Sequence, residues 1–153
     1  MKKNKILFLG IIIATSMVSC SKDDDSAKGL PEQLLGKWTL VEDMTLDVND
    51  NIIDKFMDTP TPCPIDYFDF KAGGIVVDYY NEYYNNTCQE YKIDEKYKLE
   101  GNTLTFEYTN GDLDPYSIKI VGETLEMVSP LNERNELDYN SNVAKLKSVY
   151  KKL

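Results

Sequence analysis

The chain has 153 residues, with 17 Lys and Arg against 26 Asp and Glu, a formal net charge of −9 and no histidine. This acidic composition leaves no basic face for phosphates, which argues against nucleic-acid binding. Without histidine, Ser-His-Asp and Cys-His catalysis are excluded, and so is the commonest zinc and copper ligand. The length suits one domain with a modest core, and 42% hydrophobic residues are typical of a globular chain.

The first 19 residues have the organisation of a secretory signal. Lys2, Lys3 and Lys5 precede an almost wholly apolar run of 13 residues, Ile6 to Val18. Because a membrane-spanning helix needs about 20 residues, this run is too short to be an anchor. Residues 1–19 are therefore predicted to be a signal peptide.

Cys20 follows Met17-Val18-Ser19 and precedes a run of three aspartates. A small residue directly before a cysteine resembles the lipobox of bacterial lipoproteins, and the acidic run resembles the surface-export signal of Bacteroidetes lipoproteins. The resemblance implies that the Cys20 thiol carries diacylglyceryl and acyl groups, and that the protein is anchored in the outer membrane and faces outward. An ordinary secreted cysteine after a plain signal cleavage is the alternative for Cys20.

Cleavage before Cys20 removes three lysines and no acidic residue, which changes the formal net charge from −9 to −12. Anionic headgroups repel such a domain, so we expect the membrane to be contacted through the lipid anchor alone. Residues 20–33 are interpreted as an acidic flexible tether and residues 34–153 as the folded domain. No cofactor is expected besides the modification of Cys20.

Once Cys20 is acylated, Cys63 and Cys88 remain as an even pair in an oxidising compartment, which favours a disulfide. A metal site is the alternative, but two thiols without histidine supply too few soft ligands. We therefore expect a Cys63–Cys88 bond and no metal.

The rest of the chain is a series of short alternating runs separated by turn signals. No segment sustains a helical apolar period, and only residues 31–35 and 132–140 suit a short helical turn. Residues 46–64 are interpreted as a polar loop. The runs predict eight strands, near residues 38–44, 68–70, 75–80, 91–99, 104–108, 116–120, 125–127 and 143–152.

Hairpin-linked strands with one apolar face form a meander, and an eight-stranded meander leaves unpaired edges unless it closes. We therefore predict an all-β fold, an eight-stranded antiparallel up-and-down barrel. Its interior candidates are Leu40, Phe68, Phe70, Ile75, Val77, Tyr91, Ile93, Leu104, Phe106, Ile118, Leu125, Met127 and Leu146.

Gly36-Lys37-Trp38 opens the first of these strands. It resembles the Gly-x-Trp signature of lipocalins and other calycins, and the domain resembles the lipocalin-like domains of Bacteroidetes lipoproteins. The resemblance implies that Trp38 packs across one end of the barrel beneath a basic residue of the last strand, Lys145 or Lys147. It also implies a small apolar or amphipathic ligand in the cup of the barrel.

Tyrosines are concentrated between residues 79 and 84, where tyrosine offers rigid amphipathic contact area. Tyr80, Tyr83 and Tyr84 are candidate recognition residues, and simple padding of the loop is the alternative. This gives a second hypothesis for function, a surface interaction module that contacts a glycan or an envelope protein. It predicts that Tyr83 and Tyr84 form one exposed patch.

The sequence contains no strong pattern for a calcium site or for catalysis. Asp47 and Asp58 are spaced as in a calcium loop, but Ile52 stands where such a loop needs glycine. No carboxylate pair has a separation fixed by the sequence, and no serine has a base. The chain is therefore interpreted as a noncatalytic protein without catalytic residues.

Overall fold

The computed structural model describes residues 30–56, 62–131 and 142–153. Within these ranges the chain forms one short helix and nine strands. They are α1 (Leu30–Leu34), β1 (Gly36–Leu46), β2 (Ile52–Phe56), β3 (Tyr67–Lys71), β4 (Ile75–Tyr84), β5 (Thr87–Glu100), β6 (Thr103–Glu107), β7 (Leu113–Val121), β8 (Thr124–Pro130) and β9 (Lys145–Lys152).

The strands form one antiparallel sheet in which hydrogen bonding returns to its starting strand. β3 to β9 pair in chain order, and β1 pairs with both β3 and β9, for example Trp38 with Phe68 and Trp38 with Lys152. This closure removes the two free edges that an open meander would leave. The prediction of an all-β, eight-stranded up-and-down barrel is confirmed for the ring.

β2 lies outside that ring and corrects the prediction that residues 46–64 form a loop. It pairs with the second half of β1, where Asp43 to Leu46 face residues 52–56. The connecting turn is closed by Asp47, whose Oδ1 accepts hydrogen bonds from the backbone N–H of Asn49 and Asn51 at 2.8 and 2.9 Å. Most of β2 is exposed, so its sequence carries little of the apolar alternation that marks a strand. Asp58 lies outside the described residues.

The interior of the ring is filled by large side chains from most of its strands. Its buried cluster consists of Leu34, Trp38, Phe70, Val76, Leu104, Phe106, Ile118, Leu125 and Met127. Phe68, Phe70 and Phe106 meet across the interior with ring centroids 5.9 to 6.1 Å apart. The middle of the barrel is therefore a packed core and not an open channel.

The inward face of β4 differs from the prediction by one residue. Val76 is buried in the core and Ile75 is 44% exposed, whereas Ile75 and Val77 were expected to point inward. Val77 is buried as well but lies outside the core cluster. The register explains the difference, because Phe70 pairs directly with Val76 across the β3–β4 hairpin and opposed residues share a face.

Gly74 in this hairpin is predicted to be intolerant of a side chain. Its φ is +76°, and a Cβ would lie 2.7 Å from the carbonyl oxygen of Tyr97 in β5. Gly74→Ala should lower the free energy of unfolding by about 2 kcal/mol or more, measured by urea denaturation, since backbone strain and a clash combine. Gly73 is the control, because its φ is +88° with nothing within 4 Å, so Gly73→Ala carries strain alone. Equal losses for the two variants would contradict the close approach to Tyr97.

Candidate functional site

One end of the barrel is closed by Trp38 and α1. Trp38 is fully buried, and its Nε1 donates a 2.7 Å hydrogen bond to the carbonyl oxygen of Leu34 at the end of the helix. Leu34 is also fully buried in the core, and α1 contacts β7. Gly36, which joins the helix to β1, has a φ of +112° that favours glycine. These residues form a plug at this end, whereas the described residues leave the opposite end open.

The cation over Trp38 is Lys152, not Lys145 or Lys147. Its Nζ lies 5.1 Å from the Trp38 ring and donates a 3.1 Å hydrogen bond to the carbonyl oxygen of Gln33. The antiparallel register accounts for this choice, because the start of β1 faces the end of β9. Lys145 and Lys147 pair with Leu46 and Met44 near the other end of β1.

At the open end, β4 and β5 continue as a two-stranded ribbon above the ring. β3 pairs with β4 only up to Tyr79, and β6 pairs with β5 only from Lys96 onward, yet β4 and β5 stay paired as far as Tyr84 and Thr87. The ribbon is therefore longer than its neighbours by several residues on each strand. One face of the ribbon continues the inward-facing positions of the ring, and the other face continues the outward-facing ones.

The face of the ribbon that continues the barrel interior is aromatic. Tyr80 and Tyr91 are opposed and stacked, with ring centroids 5.1 Å apart. Ile93 and Tyr91 are 41% and 37% exposed, although both were expected in the packed interior, and Tyr84 at the tip is 61% exposed. We call Tyr80, Tyr84, Tyr91 and Ile93 the inward ribbon face.

Tyr83 and Tyr84 are both exposed, at 52% and 61%, but they do not form the single patch that the sequence suggested. As neighbours on one strand they project from opposite faces of the ribbon. Tyr84 belongs to the inward ribbon face, whereas Tyr83 lies on the outer face opposite Cys88. Their role in recognition stays a prediction.

The outer side of the ribbon is fastened to the segment that precedes β3. Cys63 and Cys88 form a disulfide with Cα atoms 5.5 Å apart. Asp66 Oδ1 accepts a 2.8 Å hydrogen bond from the backbone N–H of Asn81, and the Asn81 side chain donates to the carbonyl oxygen of Pro64 at 3.2 Å. Cys88 lies inside β5, earlier than the predicted start of that strand. These links hold the ribbon in place where no ring strand flanks it.

The open end also gathers carboxylates and phenols that the sequence did not single out. Burial raises the pKa of Asp78, and the Asp66 carboxylate raises it further; burial likewise raises the pKa of Glu95, followed by the charge of Asp78. Burial and Asp114 raise the pKa of Tyr108 to about 12, and its hydroxyl lies 3.3 Å from Asp114 Oδ2. The open end of the barrel, which we also call the mouth, therefore combines an aromatic surface with acidic groups that are only partly solvated.

Asp78 is predicted to destabilise the fold at neutral pH. A carboxyl whose pKa is raised by folding contributes stability below its ordinary value, here 3.8, and loses that contribution as the pH rises through the raised value. Asp78→Asn should therefore raise the urea midpoint at pH 7, and its advantage should shrink as the pH falls through the raised pKa of Asp78 and be absent below 3.8. Asp94→Asn, at an exposed carboxylate of β5, is the control and should show a much smaller gain. A lower midpoint for Asp78→Asn at pH 7 would contradict the assignment.

Hollows border the described part of the barrel. One of about 540 Å³ lies at the open end between Glu95 on β5 and Glu107 and Tyr108 at the end of β6. Another of about 660 Å³ is lined by Met44, Leu46, Val128, Pro130, Lys145 and Lys147, among others. Both of its lysines are engaged, Lys145 with Asp50 at 2.6 Å and Lys147 with Glu126 at 3.1 Å. The hollow at the open end is the one that adjoins the carboxylates and the ribbon.

Cys20 and the rest of residues 1–29 lie outside the described residues, so the predicted lipidation site and most of the tether have no structural description. The helix α1 begins at Leu30, inside the stretch assigned to the tether. No helix in the described part of the chain is long and apolar enough to cross a membrane. Residues 132–140, the other predicted helical turn, are also outside the described ranges.

The match to a family of known proteins agrees with this architecture. The sequence matches the lipocalin-like domain family over residues 34–127. Among solved structures, the chain is similar to a lipocalin-like protein from Bacteroides uniformis, with 12% identity and a TM-score of 0.47 over 79% of this chain and 99% of that one. It is also similar to a protein from Bacteroides eggerthii, with 12% identity and a TM-score of 0.46 over 78% and 98% of the two chains. No curated protein matches the sequence. Because the family match spans more than half of the chain, this protein belongs to the lipocalin-like domain family.

Proposed function

We propose that this protein is a noncatalytic, lipid-anchored cell-envelope protein that binds a small amphipathic ligand at the open end of its barrel. The lipocalin-like fold is a ligand-binding fold and is generally non-enzymatic. The observation that carries the proposal is the inward ribbon face, an exposed aromatic surface continuous with the barrel interior.

Packing in the ring favours a ligand at the mouth over one deep in the barrel. Phe68, Phe70 and Phe106 fill the interior with centroids near 6 Å apart, and Trp38 blocks the far end. The stacked pair of Tyr80 and Tyr91 offers a flat apolar surface above this core. An apolar ring or chain that rests there buries surface that water now covers.

Polar groups around the mouth give such a ligand an orientation. The phenols of Tyr108 and Tyr116 and the carboxylates of Asp78, Glu95 and Asp114 lie below the aromatic surface. Both phenols donate to Asp114, so these groups offer hydrogen-bond acceptors to a polar head, while the ribbon contacts its apolar part. This division suits an amphipathic molecule better than a purely apolar one.

Binding can be tested with N-phenyl-1-naphthylamine, a neutral fluorescent amphipath that brightens in apolar surroundings. Replacing both Tyr80 and Tyr91 with Ser should weaken its binding by roughly tenfold or more, because two aromatic contacts are lost. Tyr83→Ser is the control, since Tyr83 is a tyrosine of the same ribbon, 52% exposed against 37% for Tyr91, but lies on the outer face. Probe affinity that is equal in all three proteins, or lost equally in both variants, would overturn the site.

The anchor is tested separately through Cys20. Metabolic labelling with palmitate should mark the wild-type protein and disappear in Cys20→Ala. The double variant of Cys63→Ser and Cys88→Ser should keep the label, because those cysteines are joined in a disulfide. A label that persists in Cys20→Ala would overturn the proposed anchoring at this thiol.

The alternative function is a surface interaction module that contacts a glycan or an envelope protein through residues 79–84. The exposure of Tyr83 and Tyr84 favours it. Because these residues lie on opposite faces, Tyr83→Ser and Tyr84→Ser separate the two surfaces. Loss of binding to a glycan array with Tyr83→Ser alone, while the fluorescent amphipath still binds, would favour this alternative.

A further inference from the structure

β5 has one long edge that pairs with no strand in the described part of the chain. β5 pairs with β4 from Thr87 to Lys96, but with β6 only from Lys96 to Glu100. Every second residue between 87 and 95 therefore presents its backbone N–H and C=O groups on the β6 side, and residues 87–94 are all exposed. A hollow of about 540 Å³ lies between Glu95 at the end of this edge and Tyr108 just after β6. An exposed edge of this kind is a template for another strand.

We propose that this edge pairs antiparallel with the same edge of a second copy of the chain, about a two-fold axis at Tyr91. The reasoning is geometric. The free edge runs from Thr87 to Glu95, and its middle residue is Tyr91. A register centred there pairs the whole free edge. A shift in one direction drives β5 into the partner's β6, and a shift in the other direction shortens the ladder.

The charges of the edge agree with the same register. With Tyr91 opposite the partner's Tyr91, Glu90 faces the partner's Lys92, and symmetry repeats that pair on the other side of the axis. An axis at Lys92 would pair the two copies of Lys92, and an axis at Glu90 would pair the two copies of Glu90. Opposite charges thus meet in the register that geometry favours, and like charges meet in the neighbouring symmetric registers.

The proposed pairing is made by the backbone of the edge, whereas the proposed ligand contacts side chains of the inward ribbon face. Backbone groups of the edge lie in the plane of the ribbon, whereas the inward ribbon face projects above it. Glu90 and Lys92 alternate with Tyr91 and so project from the outer face. Variants of these two charges therefore leave the proposed ligand site unchanged.

Cysteine cross-linking in the full chain tests the axis. Tyr91→Cys should form a disulfide-linked dimer when intact cells are oxidised with copper phenanthroline. Ile93→Cys is the matched control, because the proposed register separates its two copies by four residues along the strands, roughly 13 Å. Absence of a Tyr91→Cys dimer, or equal cross-linking at residue 93, would overturn the proposal.

Exchanging the charges of Glu90 and Lys92 tests the register, and recovery in the combined variant shows that the single variants still fold. In the Tyr91→Cys protein, Glu90→Lys or Lys92→Glu alone should reduce dimer formation roughly tenfold, because each creates two like-charge pairs across the axis. The two substitutions together recreate opposite pairs and should restore the dimer. If the combined variant is as weak as the single ones, the proposed register is wrong.

Discussion

Replacing Trp38 with Ala is expected to lower the free energy of unfolding by about 4 kcal/mol, the largest loss from any single substitution considered for this chain. Trp38 is fully buried and packs among the core residues that close one end of the barrel. Its removal opens a cavity at a point where the closed ring limits collapse. It also leaves the carbonyl oxygen of Leu34 without the indole donor at 2.7 Å.

Two further variants separate packing from the polar contacts. Trp38→Phe keeps a ring but loses Nε1, so its loss should be about half as large. Lys152→Met keeps an apolar stem beside the ring but loses the cation and the bond to Gln33, and should cost about 1 kcal/mol. Far-UV circular dichroism in urea is the suitable measurement, because Trp38 is the only tryptophan and its fluorescence is lost with it. A loss below about 1 kcal/mol in Trp38→Ala would contradict the plug.

The ring was predictable because each of its strands carries local alternation, but the phase of β4 was not. Ile75, Val76 and Val77 are all apolar, so either phase satisfies the pattern. The register of the β3–β4 hairpin decides which residues of β4 point inward. Because Lys71 pairs with Ile75, Phe70 pairs with Val76 and shares its face. The same reasoning identifies Lys152 as the partner of Trp38, since both lie at the terminus of their strand that meets the closed end.

The open end was harder to predict, because its features depend on differences in strand length. The sequence suggests that Tyr91 and Ile93 are buried in the barrel interior. Both side chains are on the inward face, but they lie in the ribbon above the ring and are therefore exposed. The position of Glu95 could have been recognised from the sequence, since this residue interrupts the apolar face that runs from Tyr91 to Leu99. A carboxylate on an inward face marks a position where the interior is open to water. Asp78 gave no such signal while β4 was assigned the wrong phase.

Removal of the Cys63–Cys88 bond is expected to lower the free energy of unfolding by about 3.5 kcal/mol, from the loss of the constraint on a 26-residue loop in the unfolded chain. The measurement is urea denaturation of the double variant, Cys63→Ser with Cys88→Ser, beside wild type. Reduced wild-type protein is the control and should match the variant. Agreement with oxidised wild type to within about 1 kcal/mol would contradict the expectation.

The loss should also be localised, because the bond fastens the ribbon and not the ring. Asn81 is held by Asp66 and Pro64 in the segment that the disulfide secures. When the bond is absent, amide exchange should accelerate most at residues 80–90, while the core strands β6 to β8 exchange at rates set by global unfolding. Binding of the fluorescent amphipath should weaken as well, since Tyr80 and Tyr91 then lose their fixed position. Uniform acceleration of amide exchange over all strands would contradict this localisation. It would mean that the disulfide stabilises the whole barrel and that the β4–β5 hydrogen bonds alone order the ribbon.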